Sequence, residues 1–269
     1  MSEPTHLVQI SDPHITRRGT RLLGRVDTGA ALQRAVTRIT RLPLALTAVV
    51  VTGDLSAAGE AEEYAELRRL LEPLRVPVHL LAGNHDDRAR LRAAFPVAGA
   101  VTGTGPRHYA VAVGDLRLIA LDTSMAGRPD GELGPAQLQW LDAELGRHAD
   151  RPTVIAMHHP PFDGGMAAMD AMGLGAGRTE LEAIVRRHPQ VERVICGHLH
   201  RPIVRRFGRT VAQTAPAMAH QMELQFDPAQ PLGFVMEPPA LLIHRWTAAA
   251  GLVSHSLPIE AAPGPYPFD

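Results

Sequence analysis

The stretch Ala48-Val-Val-Val-Thr-Gly-Asp-Leu55 constrains the chain more than any other. Three consecutive β-branched residues, Val49 to Val51, read as a central strand of a parallel sheet, covered on both faces and so without apolar/polar alternation. Gly53 lets the backbone turn sharply, and Asp54 is delivered at the strand's carboxyl end. That edge is where open α/β sheets build their sites. The same arrangement recurs along the chain. Leu7 to Ile10 runs into Asp12-Pro-His14, Val76 to Leu81 into Gly83-Asn-His-Asp-Asp87, Thr153 to Met157 into His158-His-Pro-Pro161, and Val191 to Cys196 into Gly197-His-Leu-His200. Each strand end alone has a plain explanation as a turn or helix cap. Together, if the strands share one sheet, they bring Asp12, His14, Asp54, Asn84, His85, His158, His198 and His200 to one cleft.

Helices are predicted between these strands. Asp27 caps a helix from Thr28 to about Thr40, and further helices run from about Glu60 to Leu71, Asp87 to Ala94, Pro135 to Leu145 and Thr179 to Arg187. Tyr109 to Val113 and Leu116 to Leu121 form a hairpin ending in Asp122-Thr-Ser124. Beyond Pro202 only short strands are expected: Ile203 to Arg206, Thr210 to Thr214, Ala240 to Trp246 and Leu252 to Leu257. Phe162 to Gly177 is low in regular pattern and reads as a mobile flap near the site, while its Met166, Met169 and Met172 have the spacing of packing residues.

The chain has 269 residues, 45% of them apolar, a formal net charge of -1 and one cysteine, Cys196. That length suits one large domain, and the balanced charge speaks against polymeric nucleic acid as a partner. The longest apolar run, Leu42 to Val51, is about half of the roughly 20 residues a membrane span needs. With no basic-then-apolar leader and no disulfide possible within the chain, the expectation is a soluble cytoplasmic protein without a membrane partner. The donors at the five strand ends are two carboxylates, one amide oxygen and four imidazoles, with no thiolate. Such a set suits a pair of divalent transition ions, Fe, Mn, Zn or Co, better than Ca²⁺ or Mg²⁺.

Asp12-x-His14, Gly53-Asp54, Gly83-Asn84-His85-Asp86, His158 and Gly197-His198-x-His200 resemble, in order and spacing, the five motif blocks of the calcineurin-like metallophosphoesterases. Asn84 to Asp87, Leu121 to Ser124 and His158 to Pro161 look most like the class III cyclic-nucleotide phosphodiesterases and their glycerophosphodiesterase relatives. The resemblance implies a four-layer α/β/β/α sandwich with two central sheets and a small C-terminal β-rich extension. Residues 1–215 would form the catalytic core, and 216–269, with the Pro-rich tail, would complete the same domain beside the substrate pocket or an oligomer contact. It further assigns Asp12, His14 and His200 to one metal, Asn84, His158 and His198 to the other, and Asp54 to both. His159 is the adjacent alternative to His158; it would point away on the alternating strand register.

Two divalent ions less two carboxylates leave about +2, enough to draw the pKa of a bound water toward neutrality and supply hydroxide. The function implied is hydrolysis of small phosphodiesters, 3',5'-cyclic nucleotides such as cyclic AMP first and glycerophosphodiesters second. Monoester hydrolysis, nuclease action and a non-catalytic metal-binding scaffold are the remaining alternatives. His85 is placed to stabilise or protonate the leaving oxygen, with Asp86 or another carboxylate orienting its ring. Asn84 and His220 are further candidates for substrate contact, and His220 is equally a candidate for a structural role. Arg17 and Arg18 are expected in solvent, His108, His188, His244 and His255 have no motif context, and relatives suggest a homodimer or larger homo-oligomer.

Overall fold

A computed structural model describes residues 3–97 and 105–268; Met1 and Ser2, which open the stretch read for a leader, lie outside it. The elements follow in the order β1 (Thr5–Ile10), α1 (Thr28–Thr40), β2 (Ala48–Val51), α2 (Ala61–Leu71), β3 (Val78–Leu80), α3 (Arg88–Ala94), β4 (Tyr109–Val113) and β5 (Leu116–Ala120). Then come α4 (Pro135–Arg147), β6 (Thr153–Ala156), α5 (Ala167–Asp170), α6 (Arg178–Arg187), β7 (Val191–Cys196), β8 (Val204–Phe207), β9 (Thr210–Thr214), β10 (Gln221–Met222), β11 (Phe234–Val235), β12 (Ala240–Thr247) and β13 (Gly251–Pro258). Helix starts obey local chemistry: the side chains of Asp27 and Asp87 accept from Ala30 N and Arg90 N at 2.9 and 2.8 Å, and Pro135 opens α4.

The strands form two large sheets, ordered β13-β12-β1-β2-β3 and β4-β5-β6-β7-β9-β8. Strands β1, β2 and β3 are parallel in the first, and β5, β6, β7 and β9 in the second. Adjacent side chains on a strand point to opposite faces, and the burial follows that rule. Val8, Ile10, Val49 and Val51 pack under Leu32 of α1, Leu67 of α2 and Leu91 of α3. Ile155, Val194 and Cys196 pack under Leu141 of α4 and Ile184 of α6. The intervening residues Leu7, Val50, Val154, Ala156 and Ile195 form a third cluster between the sheets. Four layers result, α/β/β/α. A parallel strand covered on both sides by apolar layers cannot alternate, which is why Val49 to Val51 reads as it does.

The single rim expected from strand order is therefore two rims. Asp12, Asp54 and Asn84 come from the first sheet, His158, His198 and His200 from the second, and the carboxyl ends of the two sheets meet. The C-terminal strands add to the first sheet, β12 pairing antiparallel with β1 and β13 with β12, while β10 and β11 make a separate two-stranded pair. The segment expected as a flap is packed instead. Phe162, Met166, Met169 and Leu174 are buried in the cluster beneath α4 and α6, and Asp170 accepts from Gly164 N and Gly165 N at 2.6 and 2.9 Å. No described helix is long and apolar enough to cross a membrane.

Leu7 is fully buried between the sheets. Leu7→Ala is expected to lower unfolding free energy by about 2–5 kcal/mol, read by urea denaturation. A loss below about 1 kcal/mol would contradict a close-packed inter-sheet layer.

Candidate metal centre

The side chains at the rims are placed by an unusual backbone. Asp12, His14, Asp54, His198 and His200 all have positive φ, between 43° and 69°. Left-handed backbone is unfavourable for residues with a Cβ, by about 1–3 kcal/mol each, and clusters where function requires it. Cross-links between the turns hold it in place. His14 N donates to Asp54 O at 2.9 Å, Asp12 N to Gly53 O at 3.2 Å and Gly197 N to His158 O at 3.0 Å. Gly53 is required by contact as well as by its φ of 92°, since a Cβ there would lie 2.3 Å from His158 Nδ1.

Two buried groups result. One donor atom each from Asp12, His14, Asp54 and His200 lies within 4.8 Å of the others, and the same holds for His158, His159 and His198. In the first, His14 Nε2 is 3.1 Å from His200 Nε2, and Asp54 Oδ2 and Asp12 Oδ1 lie 3.5 Å from those two nitrogens respectively. His200 donates Nδ1–H to the His220 carbonyl at 3.2 Å, which aims its Nε2 at His14. In the second, His158 Nδ1–H donates to the Thr52 carbonyl at 2.8 Å, which turns Nε2 to Asp54 Oδ2 at 3.4 Å and Asn84 Oδ1 at 3.0 Å. His198 Nε2 is buried and has no hydrogen-bond partner among the described residues. Lone pairs and carboxylate oxygens converging on two points, with an orphaned imidazole nitrogen, fit a pair of cations. The donor set suits a dinuclear metal site.

His159 enters the second group by distance alone. Its Nε2–H donates to Pro129 O at 3.0 Å, and its Nδ1 accepts from the Thr123 hydroxyl at 2.7 Å. Both ring nitrogens are used, and burial, followed by the charge of His158, pushes its pKa down to about 3. The ring supports its neighbours and has no lone pair to offer.

The expected partnership of Asp86 with His85 is replaced by another. Asp86 accepts from Leu55 N, Ser56 N, Ser56 Oγ, Gly83 N and Tyr64 Oη, all between 2.9 and 3.1 Å, and so ties the turn after β2 to the turn after β3. The His85 ring donates Nδ1–H to the Ala57 carbonyl at 2.9 Å, while its backbone N–H donates to Asp54 Oδ1 at 2.9 Å. A backbone carbonyl carries no residue-type signal, so sequence could not have named it. Exposed at the rim, His85 stands edge-on to His14 with ring centroids 4.7 Å apart, beside a cleft of about 600 Å³ that Asn84, Arg88, Arg92, Ser124 and Met125 help to line. Arg88 is held by Asp122, at 2.7 Å. The His220 ring lies 4.8 Å from the His200 ring, with Nδ1 unpartnered among the described residues. Arg17 is away from both groups, paired with Glu60.

This order of strands and donors matches one sequence profile, that of the calcineurin-like phosphoesterases, over residues 5–202. The chain belongs to that family. It is 33% identical over 97% of its length to a protein named as a probable glycerophosphodiester phosphodiesterase from Arcobacter nitrofigilis, covering 96% of that protein. It is 32% identical over 80% of its length to a 3',5'-cyclic adenosine monophosphate phosphodiesterase from Pseudomonas aeruginosa, covering 76% of it. Among solved structures, a dimetal phosphatase from Danio rerio shares the fold with a TM-score of 0.64 at 16% identity, over 95% of this chain and 99% of that one.

Protonation gives the metal site a measurable signature. Burial works against a charge on His158, but Asp54 and then Asp12 outweigh it and raise the pKa to about 9. His14 is pushed down to about 3, chiefly by burial, and His198 well below its usual range for the same reason. At pH 7.5 a cation must therefore displace a proton from His158 and none from His14 or His198. Calorimetric Mn²⁺ titrations in two buffers of different ionisation enthalpy should show net proton release at pH 7.5, with the His158 share falling away as pH rises through 9. Proton-neutral binding at pH 7.5 would contradict this.

Proposed function

We propose that this chain is a metal-dependent phosphodiesterase that hydrolyses small phosphodiesters at a binuclear centre. The observation that carries the reading is the convergence of Asp12, His14, Asp54, Asn84, His158, His198 and His200 beside a histidine that faces an open cleft. Asp12, His14 and His200 would hold one ion, Asn84, His158 and His198 the other, and Asp54 both. Oxygen and nitrogen donors without thiolate favour Fe, Mn, Zn or Co. When bound, the pair supplies Lewis-acid charge that orients the phosphoryl oxygens and readies water.

The protein's own contribution is at His85. With Nδ1–H committed to Ala57 O, the proton available to a leaving alkoxide is at Nε2, so the imidazolium is the donating form. His85→Ala should lower kcat on an alkyl diester about 10²–10⁴-fold, the range for general acid catalysis, with metal content unchanged. With bis-p-nitrophenyl phosphate, whose leaving phenolate needs no proton, the loss should shrink to about tenfold or less. Equal losses on both substrates would remove His85 from the proton-transfer step.

Two diester classes compete, and the cleft supports reversing the order expected from sequence. Apart from Met125 its described lining is polar or small, with no phenyl, phenol or indole ring on which a nucleobase would stack. Relatives named for glycerophosphodiesters and for 3',5'-cyclic nucleotides both align over nearly the whole chain, the former at 33% and the latter at 29% identity. Glycerophosphodiesters are thus the first substrate class and 3',5'-cyclic nucleotides the second. Turnover of glycerophosphoethanolamine and cyclic AMP by Mn²⁺-loaded protein decides between them, the former expected to have the higher kcat/KM. A higher value for cyclic AMP reverses the order, and failure on both, and on bis-p-nitrophenyl phosphate, ends the phosphodiesterase reading.

A further inference from the structure

Gln9 interrupts an apolar strand, Leu7-Val-Gln-Ile10, and is fully buried on the inter-sheet face. Buried amides are retained only when hydrogen-bonded, and this one uses both ends. Its Nε2 donates to Thr52 Oγ1 at 3.0 Å in the first sheet and to the Cys196 carbonyl at 2.9 Å in the second. Its Oε1 accepts from His244 Nε2–H at 3.0 Å, and His244 Nδ1 accepts from the Ser254 hydroxyl at 2.7 Å. Arg193 Nη1 donates to Ser254 Oγ at 3.0 Å and closes the chain back to the second sheet. His244 is fully buried, and burial, with the Arg193 charge, pushes its pKa down to about 3, so the ring is a fixed neutral tautomer.

Both inner ends of this network lead to ligands of the same ion. Thr52 is the residue whose carbonyl receives His158 Nδ1–H, and its hydroxyl, donating on to Ser11 Oγ at 2.6 Å, is anchored by Gln9. Cys196 ends β7 two residues before His198, and Gly197 between them sits so close that a Cβ would lie 2.5 Å from Thr52 O. β6 and β7 are direct neighbours and Gly197 N donates to His158 O at 3.0 Å, so their spacing is set within the second sheet. What the Gln9 amide adds across the gap is the placement of Thr52, whose carbonyl orients the His158 ring, against the end of β7.

We propose that Gln9 is a positioning residue for the ion held by Asn84, His158 and His198, clamping the ends of β2 and β7 together, with His244 fixing which way its amide faces. This rests on the metal assignment above. The test is Mn²⁺ binding by calorimetry, with electron paramagnetic resonance of the spin-coupled ion pair. Gln9→Met keeps the volume and removes the bonds. It should raise the dissociation constant of the second Mn²⁺ about tenfold to a hundredfold, the range for outer partners of ligands, and replace the coupled signal by that of isolated Mn²⁺. It should lower kcat more than it changes KM. Leu7→Ala, a core change on the same strand, should lower Tm without loosening the second ion. Parental second-ion affinity in Gln9→Met, or equal loosening in Leu7→Ala, would overturn the proposal while leaving the phosphodiesterase reading intact. If wild type binds no pair, both fall. Should Gln9→Met not accumulate folded, His244→Phe decides: a severalfold weaker second ion supports the clamp, and unchanged affinity overturns it.

Discussion

Mutual repulsion among buried donors is the constraint on which this structure depends. His14 and His200 bring ring nitrogens to 3.1 Å, and Asp54 Oδ2 lies within 3.5 Å of both His14 and His158. Desolvated lone pairs and carboxylates at such distances are unfavourable unless positive charge lies among them. Without a cation a proton on His158 meets part of that need, held there by Asp54 and Asp12 against the effect of burial. A protein that keeps such an arrangement must oppose it with rigid backbone.

The backbone does so by joining two sheets at their carboxyl rims. Left-handed φ at Asp12, His14, Asp54, His198 and His200 stores strain at the centre, and hydrogen bonds between the turns after β1, β2 and β6 balance it. Beneath them a small number of polar side chains cross apolar layers. Asp86 collects five donors under the turns of the first sheet, Thr123 fixes His159 under the second, and Gln9 joins the two. Each is satisfied at every polar end, which is the condition for a buried network to rigidify its surroundings.

A division of labour among histidines follows from their second nitrogen. His158 and His200 give one N–H to a backbone carbonyl and aim the other nitrogen at the centre. His159 and His244 use both nitrogens within the protein and are held neutral. His85 gives Nδ1–H to Ala57 O and faces the cleft with Nε2. Residue type is the same in all five; chemistry is set by what the other nitrogen touches.

Sequence by itself determined the strand ends and what they carry. Val49 to Val51 could only be buried on both faces, Gly53 could only be a turn, and the donors Asp12, His14, Asp54, Asn84, His158, His198 and His200 stood out because ligand-type side chains recurred at strand termini. Helices α1 and α4 were legible from a cap, a proline and a periodic apolar face, all local signals. Tertiary structure decided the rest. It divided one expected rim into two, exchanged Asp86 for the Ala57 carbonyl as the partner of His85, packed the Phe162 to Gly177 segment, and gave Gln9 and His244 a shared place. The reason is that these depend on contacts between residues from tens to more than two hundred positions apart, or on backbone carbonyls. Neither leaves a mark on the period or composition of the segment that makes the contact.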